Sequence, residues 1–224
     1  MKKLIFISVM STLISCIEKK SQRKASTIFE TVNQKEISVV SKSLIKSKIL
    51  LDVALENTII SVIKSYQKKD ERALNRLINK DLGIVFLFRM GAYDNLSFSK
   101  FISFAKPVPQ YLTYANKIET DYVISKSSLP VFSCDTENWD KPPGIYIDTT
   151  YIDHSLSENA SIENKLNDEK IWSDSLIEKL KRLENKSHKI IAIGKNKIDF
   201  VFYLVKINDE WYLWAIDRNE VCSA

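Results

Sequence analysis

"KIIAIGKNKIDFVFYLVKINDEWYLWAI", Lys189 to Ile216, decides the fold. Three runs in it are dense in Ile, Val, Phe, Tyr and Trp: Lys189–Ile193, Ile198–Ile207 and Trp211–Ile216. "GKN" and "NDE" separate them as turns. Consecutive strands joined this tightly form an antiparallel meander. The middle run is apolar on both faces, with Phe200, Phe202 and Leu204 on one and Val201, Tyr203 and Val205 on the other. A half-solvated strand would alternate, so this one is covered on both sides.

Upstream the pattern changes period. Leu51, Leu55, Ile59, Val62, Ile63 and Tyr66 recur at helical spacing, which predicts an amphipathic helix packed on a core. Asp70 can cap a second, short helix carrying Leu74, Leu77 and Ile78. "DLGIVFLFR" reads as a turn at Gly83 and a buried strand from Ile84 to Arg89. Asn95 to Phe104 is expected to be another short helix, with Phe98, Phe101 and Phe104 along it. Tyr122–Ile124, Leu129–Phe132 and Gly144–Ile152 are expected strands. Ser157 to Lys186 is charged and helical in two pieces, the second with Trp172, Leu176, Leu180 and Leu183 on one face. Helices first, strands last and no βαβ alternation mean an α+β domain.

The N-terminus reads differently. Lys2 and Lys3 precede an apolar run from Leu4 to Ile14, too short to span a bilayer but of the size of a signal-peptide core. Leu13, Ile14 and Ser15 then lead to Cys16. This order of aliphatic, small residue and Cys resembles the lipobox of bacterial lipoproteins. The resemblance implies a diacylglycerol on the Cys16 thiol, cleavage between Ser15 and Cys16, and attachment to a membrane through the lipid. In a Gram-negative host the expected place is the outer membrane, facing the periplasm. The organisation that follows is a signal peptide over 1–15, lipidated Cys and flexible tether over 16–46, and one α+β domain over 47–224. The helix-first order and the final strand "EWYLWAID" look like the NTF2-like (SnoaL-like) cone, a long helix against a curved antiparallel sheet. The chain is also similar to lipoproteins of Bacteroidetes with this pattern.

Charge narrows the function. The formal net charge is +5, but Cys16–Lys46 holds 7 basic and 3 acidic residues, and from Ser47 onward there are 24 basic and 25 acidic. The folded part is close to neutral and offers no electrostatic footprint for nucleic acid. Only 4 Gly occur, and no glycine-rich phosphate loop is present.

Once Cys16 is lipidated, Cys134 and Cys222 remain, and in an oxidising compartment such a pair forms a disulfide. Two thiols too far apart to meet is the other reading. The run Asp135, Glu137, Asn138, Asp140 lacks the Gly and the final Glu of a calcium loop, so no metal or cofactor is expected. Of the two histidines, His154 is expected at the surface, with Asp153 badly placed to orient it, and His188 solvated at a strand start. Phe200, Phe202, Tyr203, Trp211, Tyr212 and Trp214 could line a ligand cavity or form plain core. In enzymes of the cone fold a carboxylate or a His faces such a cavity. Asp148, Asp199 and Asp217 qualify by strand position, and none is singled out as catalytic. The expectation is a membrane-anchored module without turnover that holds a protein or small-molecule partner. The alternative is a small-molecule isomerase or hydrolase of the NTF2-like type.

Overall fold

A computed structural model describes residues 53–115, 117–219 and 222. The leader, Cys16 and the tether lie outside the described residues.

The first helix, α1, covers residues 53–67. Its apolar stripe is buried as the spacing predicts, with Ile59, Val62 and Ile63 fully out of solvent. The Asp70 carboxylate accepts the Ala73 N–H at 2.9 Å and starts α2, Glu71–Arg76. Gly83 then turns the chain with φ +75°. A Cβ there would sit 2.5 Å from the Ser99 carbonyl oxygen, so only glycine fits.

Strand β1, Ile84–Arg89, follows, and then β2, Asp94–Ser99, pairs with it as a hairpin. This corrects the helix expected over Asn95–Phe104. The segment alternates, with Leu96 and Phe98 on one face and Asn95, Ser97 and Ser99 on the other; Leu96 is buried, the Phe98 ring lies 5.5 Å from the Trp172 ring, and pairing with β1 satisfies the backbone. The middle strands differ from the expectation: β3, Ile124–Lys126, lies two residues further on; β4, Phe132–Ser133, and β6, Gly144–Ile147, are shorter; and β5, Asn138–Trp139, is additional to the expected strands. Asp148 ends β6 by accepting both the N–H and the hydroxyl of Thr150. Two helices come next, α3 (Ser155–Leu166) and α4 (Asp174–Glu184). The chain finishes with β7 (Ser187–Ile193), β8 (Asp199–Ile207) and β9 (Glu210–Asp217), the meander expected from the aromatic runs. Asn208 and Asp209 take positive φ in its last turn, a geometry these residues tolerate.

Seven strands form one sheet in the order β2-β1-β9-β8-β7-β6-β3, with β4 and β5 as a separate hairpin. The sheet is mostly antiparallel, but β1 runs parallel to β9 and β3 parallel to β6. The fold class is therefore α+β with a large, mostly antiparallel sheet. One face packs on α1, α2 and the loop residues Ile102, Tyr114 and Ile118. The other face is divided. Its larger part is covered by α3 and α4, around Tyr203, Val205 and Trp214. There the β8–β9 register shifts, so that Tyr203 pairs with Ala215 and Leu204 with Leu213. The extra residue, Trp214, turns with Ala215 toward the helices. The smaller part, Tyr146, Ile191 and Ile193 with Val201, packs on Leu129 and Trp139 of the segment carrying the β4–β5 hairpin, and Lys141 lies over the Tyr146 ring.

Candidate ligand groove

The meander creates a notch. Strand β9 ends at Asp217, which pairs with Leu87 on β1 and Val201 on β8. Both neighbours run further, β1 to Arg89 and β8 back to Asp199. The Arg218 N–H still bonds the Leu87 carbonyl at 2.7 Å, and then the chain leaves the sheet. A groove of about 730 Å³ occupies this notch, with Tyr66 and Phe200 from the α1 side and Ile191, Val201, Phe132 and Trp139 from the hairpin side. A second hollow of about 530 Å³ adjoins it and shares Phe132, Trp139, Asp199 and Cys222 as common wall.

The cations of the groove have partners. Arg218 is buried, donates to the carbonyls of Val108, Leu112 and Thr113, and lies 4.2 Å from the Tyr114 ring centre. Lys189 donates to Asp153 at 2.8 Å, lies 3.8 Å from Asp217, and sits over the Tyr203 ring. Burial opposes the Lys189 charge, but Tyr203, Asp217 and Asp153 hold its ammonium protonated well above the usual lysine range. Burial likewise works against the Asp153 charge, yet the Lys189 ammonium and the Ser155 hydrogen bonds keep that carboxyl below its ordinary value. Asp217 is further from the ammonium, and burial pushes its carboxyl up. The Tyr203 hydroxyl, also pushed up by burial, donates to Asp153 at 3.1 Å. Arg89 donates its Nε–H to Asp94 at 2.7 Å.

Asp199 differs from all of these. Among the described residues no Lys, Arg or His nitrogen lies within 4 Å of its carboxylate, and no other side chain bonds it. Burial pushes its carboxyl up. It occupies the first position of β8, on the same face as Val201 and Tyr203, in the wall common to both hollows.

The other residues singled out by sequence scatter. Asp148 is a turn residue; the Thr150 hydroxyl and N–H hold its carboxyl below the usual value, and it lines neither hollow. His154 is exposed just before α3, its Nδ1 3.7 Å from the buried Glu184, while Asp153 turns instead to Lys189. His188 is half-buried rather than solvated: its ring lies 5.2 Å from that of Trp211, and burial lowers its pKa. Of the six aromatic residues of the meander, only Phe200 reaches the groove; Phe202, Tyr203 and Trp214 are packed core. Cys134, in the β4–β5 turn, meets Cys222, beyond β9, with sulfurs 2.04 Å and Cα atoms 5.6 Å apart. Ser15 and Cys16 lie outside the described residues. Sequence reasoning passed over Lys189, Arg218, Phe132 and Trp139, because nothing in the chain says that 130–139 folds back over 189–201.

Among the described residues no group of acidic, His or Cys side chains could hold a metal, and no helix is long and apolar enough to cross a membrane. No protein-family model, curated protein or solved structure matches the chain.

Proposed function

We propose that the protein is a lipid-anchored component of the cell envelope whose folded domain binds a small ligand in the groove at the end of β9, without turnover. The anchor reading rests on the Leu13–Cys16 motif, and in a Gram-negative host its expected site is the outer membrane, facing the periplasm. An oxidising compartment agrees with a bond between Cys134 and Cys222, whose sulfurs adjoin. The observation that carries the binding reading is the groove itself. About 730 Å³ is a ligand-sized space with aromatic walls and a few polar groups aimed into it. Its cations are held by protein partners, and it contains no histidine, so no acid–base pair is assembled there. The NTF2-like cone belongs to the same proposal; its support is the long helix first and the aromatic meander last.

Two experiments test this. Cys16→Ser should release the protein from membranes or block its processing; a variant still membrane-bound at mature size contradicts the anchor. Mass spectrometry of small molecules carried by the full chain should find one that is lost when Phe132 and Trp139 are replaced by Ala. If those replacements release nothing, the groove is not the binding site.

A second reading has one observation in its favour. A carboxylate with its pKa pushed up by burial, as in Asp199, is the base an isomerase of the cone type uses. In D2O, Asp199-dependent deuterium uptake beside the carbonyl of a bound ketone such as 4-phenyl-2-butanone would establish the enzyme. Binding without exchange leaves the module.

A further inference from the structure

We infer that the groove selects an organic amine carried on an apolar body, with Asp199 as the ammonium acceptor and Phe132 and Trp139 as the aromatic wall beside it. The inference rests on the binding reading above and names the ligand class of that site.

Charge matching within the groove leads there. Three cations line it, Arg89, Lys189 and Arg218. Arg89 is neutralised by Asp94, and Lys189 by Asp153 with Asp217 beside it. Arg218 donates its guanidinium N–H groups to the carbonyls of Val108, Leu112 and Thr113 and lies against the Tyr114 ring. Asp217 has Lys189 and also accepts the Asn219 N–H at 3.0 Å. In the adjoining hollow, Lys141 donates to Ser127 and Ser128, and Lys195 pairs with Asp121. Lys197 and Glu137 are exposed at its rim. Among the described residues Asp199 is the acid left over.

An uncompensated carboxylate in a half-buried wall is costly unless a partner arrives. An anion would meet like charge at Asp199, whereas a neutral ligand would leave the carboxylate without a counter-charge. An ammonium group supplies the counter-charge and up to three donors. The surroundings fit its carrier. Phe132 and Trp139 stand edge to face, centroids 5.3 Å apart, and offer the electron-rich ring faces that cations prefer. Beyond them the floor is Ile191 and Val201, and Val131, 65% exposed, stands at the rim. An apolar or aromatic body would lie on these residues with its amine at Asp199.

The test is calorimetric titration of the full chain with three probes of one shape: 4-phenylbutylamine, 4-phenylbutanol and 4-phenylbutyrate. The amine should bind at least about tenfold more tightly than the alcohol, and the acid weakest, the scale of one charge-assisted hydrogen bond. Asp199→Asn should remove the amine's advantage and leave the alcohol's affinity unchanged, which also reports that the variant is folded. Trp139→Leu should weaken all three. Equal or tighter binding of the alcohol or the acid to the wild type overturns the amine inference and leaves the binding function standing. If none of the three binds, the groove is not a site for this class of ligand and the inference falls. Whether the binding function falls as well is then decided by the small molecules that the full chain carries.

Discussion

The two parts of the sheet's second face are built from the same strands but treat buried charge in opposite ways. Under α3 and α4, acids are used as caps. Glu163 accepts the Leu96 N–H at 2.8 Å and the Trp172 indole N–H, tying edge strand β2 to the helix pair. Glu184 accepts the N–H groups of Leu156 and Ser157 at 2.9 and 3.0 Å. These are first-turn donors of α3, so the last turn of α4 caps the start of its neighbour, a task the His154 side chain does not perform. Under the hairpin the same sheet holds a hollow, and among the described residues Asp199 has neither a cation within 4 Å nor a donor from another residue. Burial pushes the Glu184 carboxyl up as well, but its Oε1 is engaged by two backbone donors and serves the fold; Asp199 has no such donor among the described residues and is available to a ligand.

Breaking the cover of the open part should have the largest effect. With Cys134 and Cys222 separated by 88 positions, the chain-entropy model assigns the closed loop about 4–5 kcal/mol. Urea unfolding of wild type and Cys134→Ser should differ by that order, and reductant should abolish the difference. Peptide mass spectrometry finding two free thiols would remove the bond from the account. The next effect compares two tryptophans. Trp214 is fully buried in the sealed part, and Trp214→Ala should cost about 3–5 kcal/mol. Trp139 is half-exposed on the hairpin, and Trp139→Ala should cost markedly less. Equal losses would mean that the hairpin side is core like the rest.

A smaller loss is expected at Glu163. Glu163→Ala leaves the Leu96 N–H and the Trp172 indole without their acceptor, costing about 2–3 kcal/mol in denaturant. The smallest effects are in pH dependence, and their signs differ. Asp153 is held below its ordinary value, so its contribution is present above the unfolded pKa of about 3.9 and is lost as pH falls through the folded value. Asp199 is held above it, so its contribution is present below the unfolded pKa and is lost as pH rises through the folded value. Asp153→Asn should therefore flatten the acid limb of the stability curve. Asp199→Asn should be neutral in acid and slightly stabilising at neutral pH, by about 0.5 kcal/mol. A clear loss at neutral pH would show that Asp199 has a structural partner.

Much of this fold was legible in residues 189–216. Density of β-branched and aromatic residues, two short polar turns and apolar character on both faces of β8 lead directly to a meander covered on both sides. The stripe Leu55–Tyr66 likewise marks the helix that covers one side. The strand at 94–99 was less legible, because Phe98, Phe101 and Phe104 mimic a helical stripe while the residue that pairs with Phe98, Val85, lies on the preceding strand. The groove was the least legible. It depends on β9 stopping at Asp217 while β1 and β8 continue, which is a matter of register between strands far apart in sequence. Asp199 was visible as a carboxylate at a strand end, but so were Asp148 and Asp217. A Thr150 hydroxyl and a Lys189 ammonium separate the three, and neither contact is written in spacing.

The most direct test of the divided face is amide hydrogen exchange of the full chain with and without saturating 4-phenylbutylamine. The account predicts slower exchange at 130–139 and 199–201, with α3, α4 and β2 unchanged. Protection spread over α3 and α4, or none at the hairpin and the start of β8 while the amine is bound, would contradict it.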